Sequence, residues 1–205
     1  MPATIWDGKD FLGLDMSKLP PKYVIKANHG SQMNLFHYNC PHSIRGLERI
    51  RKQWFKADQF STLGEWAYAG IEKKVFVEEY LDASGASPAD YKFFVFGGVV
   101  EFCQVDSSRF AEHERNMFDR DWNDLEIDYS HPRSVPPPVA PKTLPKMIEI
   151  AECLGRDFSF VRVDLYEYQD LVYFGELTIY PGAGYEKFPS YFIDKMFGEP
   201  WIITK

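Results

Sequence analysis

The stretch FSFVRVDLYEYQDLVYFGELTIYP, residues 158–181, decides how the chain arranges its chemistry. Two runs rich in β-branched and aromatic residues flank Gln169, Asp170 and Leu171, which reads as a β-hairpin about a short turn at those three residues. Side chains on a strand repeat every two residues. Pairing about that turn sets Tyr168 opposite Val172, Asp164 opposite Glu176 and Arg162 opposite Thr178, so both acids share one face. Like charges directly opposed across strands destabilise a sheet, at Cβ separations of about 4.5–5.5 Å, and a cation belongs between them. Two candidates are open. A divalent metal suits hard carboxylate oxygens, and magnesium keeps several waters and completes its shell with phosphates. Alternatively, Arg162 alone neutralises the acids on a solvated face.

Outward from the hairpin, the sequence alternates strands and helices. Residues 1–21 read as an irregular lead-in that ends at Pro20-Pro21. A strand, YVIKA (residues 23–27), and a polar turn, Asn28 to Gln32, follow. Ile44, Leu47, Ile50 and Trp54 recur at helical spacing behind Ser43 as N-cap, with basic residues on the other face. VFVEEYL (residues 75–81) reads as a strand leaving a buried sheet, and residues 91–105 as two strands about Gly97-Gly98. The proline-rich residues 131–141 form an extended connector. Beyond them Leu144, Met147, Ile148, Ala151 and Leu154 make an apolar helical stripe closed by Gly155. The order predicts an α+β protein with largely antiparallel sheets.

The 205 residues, 45% hydrophobic and 17% aromatic, suffice for a real core in one domain or two small lobes and argue against disorder. Thirty acids against 23 bases give a net charge of −7, which disfavours broad adhesion to nucleic acid or anionic membranes. Local basic clusters, chiefly residues 45–56, can still meet phosphate. Cys40, Cys103 and Cys153 are odd in number, far apart and without metal-ligand spacing, so they read as reduced thiols. No apolar run spans a bilayer and the first twenty residues lack signal-peptide features, so a cytoplasmic location is expected.

Several further residues carry chemistry. Lys26 ends a strand just before a small polar loop with Gly30 and Ser31, where a lysine and backbone N–H groups can meet a phosphate; an ordinary strand-edge lysine is the plain alternative, because Walker-type spacing is absent. His29 reads as a loop residue. Glu78 and Glu79 must point to opposite sides of their strand, one toward a cleft. Asp90 and Lys92 share a face and read equally as a surface ion pair.

Taken together, YVIKANHGS, GEWAYAGIEKKVFVEEYL, DYKFFVFGG, RNMFDRDWN and FVRVDLYEYQDLVYFGELTIYPGAG resemble the ATP-grasp superfamily, and within it the TupA-like branch linked to cell-surface polysaccharide biosynthesis. The resemblance implies two small α+β lobes enclosing a nucleotide cleft, a phosphate-loop lobe over residues 22–80 and a metal-binding lobe over residues 81–205. It implies that Lys26, Gly30 and Ser31 meet ATP phosphates, that Glu78, Glu79, Tyr80 and Leu81 line the adenine and ribose pocket, and that Asp90 and Lys92 lie beside the nucleotide. Asp164 and Glu176, with Thr178, would hold Mg2+, and Arg162 would stabilise the transferred phosphoryl group. Arg115, Asp119 and Arg120 would form a further polar cluster. The implied reaction is ATP-dependent ligation of a small-molecule or glycan-linked carboxylate to an amine through an acyl phosphate. A catalytically silent nucleotide-binding module and a sugar kinase are the alternatives. Thr178 stands where many ATP-grasp enzymes have asparagine, and NHGSQMN lacks a second glycine. The chain also starts close to the Lys26 strand, which implies a missing N-terminal region supplied by a partner chain or a homo-oligomer.

Overall fold

The computed structural model describes residues 1–37, 42–81, 88–107 and 113–203, and two compact units divide the chain, Pro2–Leu81 and Asp82–Lys205. The first unit is a four-stranded antiparallel sheet in the order β1-β4-β2-β3, with β1 Thr4–Gly8, β2 Tyr23–Ala27, β3 Asn34–His37 and β4 Val75–Glu79. The expected irregular lead-in is corrected here. Its residues Thr4–Gly8 pair with Val75 to Glu78 through a register shift, which puts β1 on the sheet edge. Helix α1, Ile44–Trp54, starts where expected, with Ser43 Oγ accepting from the N–H of Gly46. Its Leu47 is buried against Phe11, Tyr23, Ile25, Val75 and Val77, which form the unit's core. A short helix α2, Gln59–Leu63, follows.

The second unit is a five-stranded antiparallel sheet in the order β7-β6-β5-β8-β9: β5 Asp90–Phe96, β6 Val99–Ser107, β7 Glu114–Asp119, β8 Phe160–Tyr168 and β9 Leu171–Thr178. Gly97 and Gly98 join β5 to β6 with φ of 53° and 86°, the left-handed region that glycine enters without steric cost. One face of this sheet is mainly apolar. Phe93, Val95, Cys103, Val105, Val161, Val163 and Leu165 pack there against Met147 and Ala151 of α3, Leu144–Gly155. Gly155 is the last residue inside α3 and not a glycine cap beyond it; it lets the helix lie close on the sheet, since a Cβ there would stand 2.5 Å from Val95 Cγ1. Glu167 of β8 secures the start of α3, accepting from Thr143 N at 2.7 Å and Thr143 Oγ1 at 2.6 Å. The opposite face is divided. Phe94, Phe96, Phe102 and Met117 pack beneath Phe197 of α4, Tyr191–Gly198, and the remainder of that face is polar yet buried. Residues 132–141 contain no regular element, as the prolines require. Cys103 is buried and Cys153 exposed, both free thiols, and the expectation for Cys40 falls outside the described residues. Among the described residues no helix is long and apolar enough to cross a membrane.

Candidate active site

Hairpin β8–β9 carries the site. Arg162 pairs with Thr178 and Asp164 with Glu176, as the spacing predicts. The turn is corrected: Tyr168 faces Leu171, not Val172, because β9 holds a bulge between its pairings with Asp164 and Leu165. The extra residue is Gly175. The turn therefore shortens to Gln169 and Asp170, whose φ values of 53° and 58° suit a tight two-residue hairpin loop. Glycine is required at the bulge, since a Cβ there would lie 2.8 Å from Tyr166 Cε2 and 3.0 Å from the carbonyl oxygen of Asp164.

The cations between the two acids are protein groups. Arg162 grips Asp164 in a bidentate pair, Nε to Oδ1 at 2.7 Å and Nη2 to Oδ2 at 2.8 Å, and Nη2 also reaches Thr178 Oγ1 at 3.0 Å and Glu176 Oε1 at 3.4 Å. Thr178 donates its hydroxyl to Glu176 Oε1 at 3.0 Å. Lys92, opposite Asp164 on β5, bridges Asp164 Oδ2 at 2.7 Å and Asp90 Oδ2 at 2.5 Å. The Asp90–Lys92 pair is not on the surface, contrary to the simplest strand reading: the two residues are 1% and 7% exposed. Burial pushes the Lys92 ammonium down, but the charges of Asp164 and Asp90 outweigh it and hold the group above its ordinary value. Arg162 is likewise held in its charged form, against burial, by Asp164. Glu176 moves the other way. Burial and the Asp164 charge push its carboxyl up. Its side chain nevertheless keeps 60% of its surface in solvent.

The polar row extends further than the sequence reading reached. Gln104 lies opposite Lys92, Asp106 opposite Asp90, and Arg115 opposite Asp106. Gln104 Nε2 donates to both Asp106 oxygens at 3.0 Å, and Arg115 Nε donates to Asp106 Oδ1 at 2.7 Å. The available signal was the two-residue spacing of Gln104 and Asp106 in β6, which also describes a half-exposed strand. Arg115, Asp119 and Arg120 do not cluster. Asp119 caps its own turn at Asp121 and Asn123, and Arg120 pairs with Glu152 of α3. Counting Asp90, Asp106, Asp164 and Glu176 against Lys92, Arg115 and Arg162, four carboxylates meet three cations. The row has room for positive charge, and its open end is Glu176.

That end fits a hard cation in donor type, with two carboxylates and a hydroxyl on one face. It does not form a closed cage. Among the described residues no three His, Cys, Asp or Glu stand together as a metal cluster, so phosphate and water oxygens would have to complete a magnesium shell.

In the first unit, Lys26 and Glu78 form an ion pair at 2.6 Å. Glu78 and Glu79 diverge as strand alternation requires: Glu78 is buried, and Glu79 Oε1 accepts from the backbone N–H of Ala3 at 2.9 Å. Leu81 is buried and Tyr80 half-buried. The loop from β2 to β3 is pinned by Asn28, which bonds the backbone of Glu72 and Lys74. Buried His29 pins it too, its Nε2 lying 3.0 Å from the carbonyl of Trp54. His29 is thus a packing residue, and burial pushes its pKa down. In that loop Gly30 is half-buried and Ser31 exposed.

Two antiparallel α+β units, one with Lys26 on its second strand and one with an Arg162–Asp164–Glu176 hairpin, make this an ATP-grasp fold. The chain belongs to the TupA-like ATPgrasp family, whose model matches residues 2–202. No curated protein matches the chain. Among solved structures it is similar to D-alanine–D-alanine ligase from Bacillus anthracis. Against the complex with ATP, identity is 14% and the TM-score 0.46, covering 88% of this chain and 50% of that one. Against a second crystal structure of that enzyme, identity is 16% and the TM-score 0.49, covering 89% and 51%. The chain therefore spans about half the length of these structures.

Proposed function

We propose that this protein is an ATP- and magnesium-dependent carboxylate–amine ligase that works through an acyl phosphate in cell-surface polysaccharide assembly. The observation that supports the chemistry best is the buried row Asp90–Lys92–Asp164–Arg162 ending at solvent-facing Glu176. Membership of the TupA-like family supports the pathway.

In this reading Lys26 leaves Glu78 to neutralise nucleotide phosphates, with the amides of Gly30 and Ser31 close by. Glu78 to Leu81 line the base and ribose, while Glu79 also holds the sheet edge. Asp164, Glu176 and Thr178 would hold magnesium, which would screen the phosphate charges and align the γ-phosphoryl group. Arg162, fixed by two bonds to Asp164, is preorganised to stabilise charge on the transferred group. Lys92 holds Asp164 in place. An acceptor carboxylate oxygen takes the γ-phosphoryl group and ADP leaves; an amine then attacks the acyl carbon, expelling phosphate and giving an amide. No covalent enzyme nucleophile is needed, in keeping with a site of Lys, Arg, Asp and Glu.

Calorimetric titration with ATP, with and without magnesium, tests the reading. Glu176→Gln, at a largely exposed position, is expected to lose magnesium-dependent binding while remaining folded. Unchanged ATP affinity in that variant would overturn the assignment. Amide plus free phosphate as products, rather than a phosphorylated sugar, separates ligase from kinase.

A further inference from the structure

Beyond the metal end of the row, Arg115 stands in an unusual state for a buried guanidinium. The residue is 6% exposed, and Asp106, itself 4% exposed and steadied by Gln104, binds its Nε at 2.7 Å. Its Nη1 is shut away from water without a hydrogen-bond acceptor. Glu186 Oε2 lies 3.6 Å from that nitrogen, outside hydrogen-bond range. Buried N–H groups of a charged side chain are costly to leave unmet, and such an orphan marks a place where a ligand or water belongs. His113 packs beside it, ring to ring with His131 at 3.8 Å, and its Nε2 is also buried without a hydrogen-bond acceptor, 3.4 Å from Asp106 Oδ1.

Glu186 is delivered to this place by unusual backbone. It follows Pro181–Gly184, where Gly182, Ala183 and Gly184 have φ of 56°, 53° and 74°. A Cβ on Gly182 would stand 2.3 Å from Glu186 Cγ, so the glutamate stem lies directly on the glycine. Phe188 anchors the far side, stacked on Tyr129 at 4.4 Å, and Arg115 lies over the other aspect of that region, 5.2 Å from the Tyr129 ring centroid. The turn thus holds a carboxylate beside an arginine without letting it bond fully, with the Tyr129 hydroxyl as its hydrogen-bonding neighbour.

We propose that the Arg115 recess is the seat of the acceptor's carboxylate, and that Glu186 is an internal stand-in that an incoming carboxylate displaces. This rests on the ligase reading for its purpose, though not for its geometry. Charge selects the ligand class. Asp106, Arg115 and Glu186 together carry one net negative charge, and exchanging Glu186 for another carboxylate leaves that sum unchanged. A phosphate dianion in the same place would make it more negative. The flat edge of a guanidinium also matches a carboxylate through paired N–H donors.

The test is a saturation-transfer NMR titration of the full chain with sodium acetate, in parallel with inorganic phosphate and without nucleotide. Acetate is expected to bind the wild type weakly and Glu186→Gln more tightly. An internal occupant that holds a site nine-tenths of the time weakens an outside ligand about tenfold, which sets the expected gain. Arg115→Gln, checked for folding by circular dichroism, is expected to lose acetate binding. Equal acetate affinity in wild type and Glu186→Gln overturns the proposal, whatever Arg115→Gln does. Acetate binding that survives in a folded Arg115→Gln variant, or phosphate binding as tightly as acetate, also overturns it. ATP binding measured on the same samples keeps the two readings apart. Its loss with the acetate pattern intact counts against the ligase alone, and its presence with the acetate pattern absent counts against the carboxylate seat alone.

Discussion

Replacing Lys92 with methionine tests whether the buried row is held by charge. The substitution keeps the aliphatic stem and removes an ammonium that bonds Asp90 at 2.5 Å and Asp164 at 2.7 Å. Asp164 retains Arg162, while Asp90 loses the ammonium that bonds it. Deleting one partner of a buried ion pair costs about 3–5 kcal/mol, because the remaining charge is still desolvated. With a urea m-value of about 2 kcal/mol/M, the midpoint of the second unit should fall by about 2 M. Its pH behaviour follows from the direction of the shift. The Lys92 ammonium is raised on folding, so its contribution is complete below the ordinary lysine value of about 10.4 and fades only as pH climbs through the folded value. The gap between wild type and variant should therefore be flat from about pH 6 to 9. Urea unfolding followed by circular dichroism supplies the numbers, and Asp90→Asn in the same background should recover at least about 1 kcal/mol relative to additivity. A loss under about 1 kcal/mol, or no recovery in the double variant, would refute the argument that charge, and not packing, holds this row.

Other outcomes follow from single contacts. Gly175→Ala should lower stability by about 1–3 kcal/mol, since its Cβ meets the Asp164 carbonyl, a backbone atom that cannot turn aside; thermal unfolding reads this as a drop of several degrees. Asp106→Asn should cost about 3 kcal/mol at pH 7. Burial raises the Asp106 carboxyl, but Arg115 more than reverses that, so the wild-type advantage is present above the ordinary carboxylate value and disappears as pH falls through the lowered folded one. Unfolding at pH 7 and near pH 3 checks both the size and the sign. Iodoacetamide should label exposed Cys153 in the native protein. Cys103, buried with its thiol pushed up by desolvation, should react only in denaturant, as peptide mass spectrometry would show.

Much of this arrangement was legible in the sequence. The facing of Asp164 with Glu176 and of Arg162 with Thr178 is read from a turn one residue too long, and it holds because the Gly175 bulge restores the register beyond it; Ser43 and Gly97-Gly98 mark their elements by local chemistry. The bulge was not legible, because Gly175 is needed to avoid the Tyr166 ring and the Asp164 carbonyl, contacts that exist only once the strands pair. The burial of Asp90 and Lys92 escaped for a related reason. DYKFFVF places them on the same face as Phe94 and Phe96, and polar residues two apart read as solvent-facing until Asp164, 72 positions from Lys92, arrives in register to meet the ammonium. The edge strand Thr4–Gly8 depends in the same way on pairing with β4, more than sixty residues downstream.

The bulge at Gly175 has a practical consequence. Removing that residue would leave Phe174 opposite Leu165 and bring Glu176 into the next place, still opposite Asp164, so deletion would heal the ladder without exchanging a single partner. Which acids meet, and the angle at which they are offered, are thus written in different residues. A one-residue deletion separates the two, giving a hairpin with the same pairs on a straighter ribbon, in which the value of the bend itself can be measured.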